Sequence, residues 1–211
     1  MKKLFLLLSF LILFSACSSN EENEYSQVPQ KTVQQRLNEG ETPISIFNNG
    51  FPLDSIYGRN YKGGLIYHLN TNDGSGLVAH FQDNSSAMNW ASLGNVTGAN
   101  NSSIGFGQIN TNEILNYYFE TNTAADFCDN LVLNNYSDWF LPSKDEMKKM
   151  IDILKEKPNV FFGAVTGYWT STNYDFNNVW IIRNDKTPIT TLKYSNSAYD
   201  IRVRATRKFE D

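Results

Sequence analysis

The chain has 211 residues, 41% hydrophobic and 14% aromatic, enough for one ordinary domain with a packed core plus appendages. Its formal net charge is −4, and a leader that removes Lys2 and Lys3 leaves 16 of the 18 basic residues against 22 acidic ones, a net charge of −6. Such a balance excludes the electrostatic footprint of a nucleic-acid binder and any general attraction to an anionic surface.

Residues 1–16 read as a signal peptide: Lys2 and Lys3, an apolar run from Leu4 to Phe14, then Ser15-Ala16 before Cys17. The run is shorter than the about 20 residues a membrane span needs. It also lacks the polar face of a core-packed helix. Phe14-Ser15-Ala16-Cys17 resembles the bacterial lipobox, which implies lipidation at Cys17 and a membrane anchor there. Residues 17–31 are polar and acidic and predict a disordered tether. The cluster Glu21, Glu22 and Glu24 resembles the surface-export signal of Bacteroidetes lipoproteins, so the expected location is the outer membrane, at the cell surface, with the periplasmic face as the alternative.

Residues 32–60 carry two short helical signals. Thr32 caps a turn with Val33 and Leu37 on one side and Gly40 as its stop. Thr42-Pro43 reads as N-cap and first-turn proline, with Asn49-Gly50 as the stop. This predicts a helical extension packed beside the main domain rather than forming its centre.

From Gly63 the pattern turns to strands. Residues 64–69 and 77–81 predict a hairpin joined by a longer loop. Asn70, Asn72 and Asp73 hint at a calcium loop, but Gly74 sits one place early for that spacing and no bidentate Glu follows, so a turn is expected. Residues 83–110 are rich in Asn, Ser and Gly, with a helical turn expected over 87–93 around Trp90. Gly105-Phe106-Gly107 lacks the third glycine and the flanking context of a nucleotide fingerprint and predicts an ordered loop with positive φ. Helical pieces are expected over 111–119 and 124–131.

The clearest local signal is the stretch DWFLPSKDEMKKMIDIL, residues 138–154. Ser143 and Glu146 form an S-x-x-E capping box, and Met147, Met150, Ile151 and Leu154 follow at helical spacing on one face. Trp139, Phe140 and Leu141 lead through Pro142 into the cap as a buried corner. Strands are expected over 168–172 and 179–183, with a loop at 173–178. A terminal half-buried strand alternates Ile201, Val203 and Ala205 with Arg202 and Arg204, with Arg207 further on.

No catalytic constellation emerges. G-x-S-x-G and H-E-x-x-H are absent, and Asp145 and Glu146 have work at a helix start. His68 and His80 lie on one hairpin without a carboxylate or Cys beside them, a weak metal site. Neither a metal nor a cofactor is expected.

The ordered fragments KGGLIYHLN, GLVAHFQD, IGFGQINTNEI, AADFC, YSDWFLPSKDEM, GYWTSTN, NNVW and IRVRATRKF together resemble the Lcl C-terminal domain family, a bacterial domain of unknown function related to the Fibrobacter succinogenes major paralogous domain. The resemblance covers residues 61–209. It implies an α+β, C-type-lectin-like fold behind the short helical N-terminal extension, with the strands near Ile66 and Val203 pairing to bring the domain's ends together. Members often carry a second Cys before the one that matches Cys128; here that region reads NYYFETN, and Cys128 is expected as a buried free thiol.

The expected function is a non-enzymatic binding module for a glycan or a protein, displayed on a lipid anchor. The candidate ligand-binding residues are Tyr168, Trp169, Ser171, Thr172, Asn173 and Asp175, where aromatic faces would stack on sugar rings; core packing is the competing explanation for the aromatic pair. Trp139, Pro142, Ser143 and Glu146 are assigned structural roles. A docking subunit of an envelope assembly is the alternative reading. An enzyme related to formylglycine-generating enzymes is disfavoured because Cys128 is a lone cysteine. Arg202, Arg204 and Arg207 are the single basic cluster, equally explained as a strand's solvated face.

Overall fold

The computed structural model describes residues 30–84, 88–92, 94, 96–163, 165–194 and 200–210. The residues read as a signal peptide, Cys17, and nearly all of the segment read as an acidic tether lie outside these residues.

The described residues begin with three short helices. α1 (Val33–Asn38) is closed by a reciprocal capping box between Thr32 and Gln35. α2 (Pro43–Asn48) is capped by Thr42 with proline in its first turn. A third, α3 (Leu53–Ile56), has no side-chain cap and left no signal in the sequence. The expectation of an extension beside the domain needs correcting in one respect. Val33, Leu37, Ile46 and Ile56 are buried in the same apolar cluster as Ile66, Val78 and Trp169.

Two four-stranded sheets follow among the described residues. The first has the order β1 (Asn60–Tyr61), β2 (Gly64–Leu69), β3 (Gly76–Ala79), β8 (Thr206–Phe209), all antiparallel. The second has the order β6 (Pro188–Leu192), β5 (Asn178–Ile182), β4 (Gly167–Asn173), β7 (Ile201–Arg202), with β7 parallel to β4. The loop between β2 and β3 is a turn in which Asp73 Oδ1 accepts from the Ser75 backbone at 2.9 Å and from its hydroxyl at 2.7 Å. The fold is thus α+β.

Alternation, reset by the register shift between Ile66 and His68, explains how β2 serves two cores. Leu65 and Tyr67 face a cluster with Met147, Met150, Ile151 and Leu154 of α6 (Lys144–Leu154), while Ile66 and Leu69 face the larger cluster with Trp90, Trp139 and Trp169. α6 therefore lies with its whole apolar stripe buried, as its 3–4 spacing requires.

The terminal strand departs from expectation. Residues 201–209 make one extended path that leaves the second sheet after β7 and joins the first as β8. Between the two, Val203 bridges to Asn84 and Ala205 accepts a hydrogen bond from the His80 backbone at 2.9 Å. β8 pairs with β3, so the implied pairing of the strand at Ile66 with the strand at Val203 does not form. A single segment thereby ties both sheets together.

The described part of the turn expected over 87–93 is not helical; Asn89 makes an isolated bridge to Thr123. A 3-10 turn at Thr97–Ala99 precedes α4 (Gly107–Tyr117), and α5 (Ala124–Asp129) is capped by Thr123. None of the described helices is long and apolar enough to cross a membrane.

Candidate functional site

The corner at Ser143 is more than a helix start. The Ser143 hydroxyl caps the Glu146 backbone N–H and also donates to the carbonyls of Ser102 and Ser103 at 3.1 and 2.9 Å. Glu146 is fully buried and accepts from the backbone N–H groups of Ser143 and Gly105, each at 2.8 Å, and more weakly from Gly107 at 3.4 Å. Burial pushes its carboxyl above the ordinary glutamate value despite these donors. Gly105 has φ +95, as its loop predicts, and a Cβ on Gly107 would lie 2.1 Å from Glu146 Oε2. The capping box thus anchors the Asn-rich loop as well as the helix.

The residues expected to bind a ligand lie mostly inside. Tyr168, Trp169, Ser171, Thr172 and Asn173 are all buried, and each of the first four is occupied. The Tyr168 hydroxyl donates to Asp83 at 2.8 Å, and Trp169 Nε1 donates to the Met88 carbonyl at 3.1 Å. The Ser171 N–H reaches the Pro142 carbonyl at 2.8 Å, and the Thr172 hydroxyl accepts from the Lys144 backbone at 2.9 Å. β4 is a central strand covered on both faces, which is why its aromatic and polar residues read ambiguously from sequence. Of the candidate set, Asp175 alone reaches the surface. Its Oδ1 accepts from the backbones of Asn177 and Asn178 at 2.8 and 2.7 Å, and hydrogen bonds led by the Asn178 side chain hold its carboxyl below the usual aspartate value. Asp175 closes the β4–β5 turn.

That turn is what presents the exposed aromatics. Tyr174 and Phe176 flank Asp175 and are 54% and 57% exposed. The Phe176 carbonyl accepts from Gly94 at 3.1 Å, and a Cβ on Gly94 would meet the Tyr118 hydroxyl at 2.6 Å and the Tyr117 ring at 3.0 Å. Gly94, at φ +153, is therefore the close approach that brings the β4–β5 turn next to the end of α4. Tyr117 is 55% exposed, and Phe119, just beyond α4, is 95% exposed. Lys193 donates its backbone N–H to Asn177 at 3.0 Å, placing the exposed Tyr194 beside the same turn. Tyr117, Phe119, Tyr174, Phe176 and Tyr194 thus crown one end of the domain, with Asn177, Ser92 and Glu120 among them. The Ser92 backbone donates to Glu120 at 3.1 Å.

Beneath this crown lies a buried lysine. Lys193 Nζ sits 4.9 Å from the Trp90 ring centroid and donates to the Gly94 carbonyl. Desolvation depresses its pKa to about 8, with Asp175 pulling the other way. Trp90 Nε1 in turn donates to the Thr170 carbonyl at 2.7 Å, which ties the crown to β4.

The segment that carries α4 and α5 is one-sided in charge, while Lys193 and Lys144, the latter 5.0 Å from the Trp180 ring centroid, are cations near the β4–β5 turn. No Lys or Arg occurs between Lys62 and Lys144, whereas Glu113, Glu120, Asp126 and Asp129 all fall in the segment holding α4 and α5. The basic cluster of the terminal segment offers no counterweight, and its reading as a solvated face is corrected for two of the three residues. Arg204 is buried against Asp83, and Arg207 is buried in a bidentate pair with Asp138 at 2.7 and 2.8 Å. Arg202, half-buried, pairs with Asp200 at 3.1 Å.

The other chemical candidates are similarly spoken for. Cys128 is a buried free thiol whose pKa burial pushes well up, so its thiolate is scarce. His80 packs edge-on against Trp139 at 6.0 Å, and burial lowers the pKa of His68. Among the described residues no group of three or more His, Cys, Asp or Glu is placed to hold a metal ion. A cleft of about 600 Å³ runs between α3 and the segment after α6, where Lys157 pairs with Asp54 at 2.5 Å. That ion pair lies on its wall, and its lining holds none of the exposed aromatics.

Comparison with protein-family models finds no match for the chain, and comparison with curated proteins finds none either.

Proposed function

We propose that this protein is a lipid-anchored envelope protein whose folded domain is a non-enzymatic binding module, and that its ligand is an uncharged carbohydrate held by the aromatic crown. The carrying observation is the gathering of Tyr117, Phe119, Tyr174, Phe176 and Tyr194 at one end of a domain whose interior is otherwise well supplied with aromatics. Exposed rings cost hydration free energy in a monomer, and their gathering at one end of the domain favours an interaction surface there. Their neighbours are Asn, Ser and acidic side chains, which suit hydroxyl groups. Residues 63–143, which supply Tyr117 and Phe119, contain no Lys or Arg, and the Lys193 ammonium beneath the turn is buried against Trp90 and the Gly94 carbonyl, which disfavours sulfated or otherwise anionic glycans here.

The resemblance to the Lcl C-terminal domain family supports the same reading through its implied lectin-like fold, and the lipobox-like FSAC with an acidic tether supports outer-membrane anchoring with surface display. The test is a panel of neutral and sulfated glycans probed at low and physiological salt. Saturable binding to neutral members that persists at physiological salt is expected. Binding to sulfated members alone, lost as salt rises, contradicts the proposal. Capture of an envelope protein with no glycan bound would favour the docking-subunit reading. Protease added to intact cells is expected to remove the domain; full protection would place it on the periplasmic face.

A further inference from the structure

β6 is the outermost strand of the second sheet, and its chemistry fits a second copy of itself. The ladder to β5 is carried on its odd-numbered residues: the Thr187 carbonyl accepts from Arg183 at 3.0 Å, and the Lys193 N–H donates to Asn177 at 3.0 Å. Alternation of an antiparallel ladder then turns the backbone groups of Pro188, Thr190 and Leu192 away from β5. Among the described residues no strand pairs with that outer side, and Pro188, Thr190 and Leu192 are all exposed. The strand PITTL is rich in β-branched residues and carries no charge of its own, so the usual guards of an edge are reduced to one proline.

We infer that two copies of this chain pair edge to edge through β6, antiparallel and centred on Thr190. In that register Thr190 faces Thr190 of the second copy, and Leu192 of each copy faces Pro188 of the other. Both pairs lie on the exposed side of the strand, so the outward Leu192, 44% exposed, gains an apolar cover. Thr190 exchanges two backbone hydrogen bonds with its counterpart. Each Leu192 N–H reaches a Pro188 carbonyl, and only the two bonds that would need a proline N–H are missing. Pro188 thus fits the end of this pairing without blocking its centre. A strand-edge contact is smaller than the roughly 800 Å² per partner of standard stable complexes, so the association depends on concentration. It does not depend on what the aromatic crown binds.

Analytical ultracentrifugation of the full chain tests this. The wild type is expected to shift from monomer to dimer with rising concentration, and Thr190→Pro is expected to stay monomeric. That substitution removes an outward N–H and no ladder bond to β5, so its circular dichroism is expected to match the wild type. Under mild oxidation Thr190→Cys is expected to give a covalent dimer, because directly hydrogen-bonded residues lie about 5.5 Å apart at Cα, inside disulfide reach. Thr191→Cys, which faces Ile189, is expected to stay at the background of the parent chain. A wild type that remains monomeric throughout, or a dimer that persists in Thr190→Pro, overturns the inference.

Discussion

Arg204 donates through Nε to Asp83 Oδ1 at 2.6 Å, and both side chains are buried, 0% and 4% exposed. The pair joins the loop after β3 to the segment where the terminal strand changes sheets. Asp83 further accepts from the Tyr168 hydroxyl of β4 at 2.8 Å and from the Gly163 backbone at 3.0 Å, while the Arg204 guanidinium stacks 3.9 Å from the Phe162 ring centroid. One carboxylate therefore coordinates elements from both sheets. Removing it strands a buried guanidinium, so Asp83→Ala is expected to lower stability by about 3–5 kcal/mol. Chemical denaturation checks this, with a loss under 1 kcal/mol contradicting it.

Ser143→Ala is expected to cost about 2 kcal/mol, the upper end for a lost N-cap, because the hydroxyl also serves the carbonyls of Ser102 and Ser103. Hydrogen exchange adds a spatial readout. The Gly105 amide, bound to Glu146, is expected to lose protection together with the first turn of α6. Loss confined to the helix would show that the loop is held elsewhere.

Lys193 gives a pH signature. Its folded pKa of about 8 lies below the 10.5 of an exposed lysine, so the unfolded chain binds more protons in that interval. The cost of burying the charge is present in full below pH 8 and fades as pH rises toward 10.5. Lys193→Met is expected to lack this rise, so the stability difference between variant and wild type should shift steadily in favour of the wild type between pH 8 and 10. Parallel stability curves over that range would mean that Lys193 is solvated.

How much of this was legible depended on whether the signal was local. The helix start at Thr32, the capping box at Ser143, the α6 stripe and the β2–β3 hairpin rest on neighbours within a few residues, and they formed as their spacing required. The role of Glu146 as anchor for Gly105 joins residues 41 positions apart, which no helical pattern reveals. Alternation in residues 201–207 was visible, but burial of Arg204 and Arg207 was not, since it depends on Asp83 and Asp138 waiting in the tertiary structure. The candidate binding strand failed for a related reason: Tyr168 and Trp169 suit a core strand and a stacking surface equally well by composition. The run without Lys or Arg from residue 63 to 143 was present in the sequence all along, and it gains meaning only once Phe119 and Phe176 are seen at one end.

The central claim is that Tyr174 and Phe176, on the turn closed by Asp175, make the ligand contact. Both are half-exposed, and Tyr174 packs edge-on against Trp180 at 5.1 Å, so their joint replacement by Ala is expected to lower stability by only about 1 kcal/mol and leave the fold in place. A titration of the Tyr174→Ala, Phe176→Ala double variant with the best neutral glycan of the panel measures the claim directly. An affinity loss of at least about tenfold, near 1.4 kcal/mol, with the fold intact is the predicted result. Unchanged affinity in the double variant would place the site away from the crown and contradict the account.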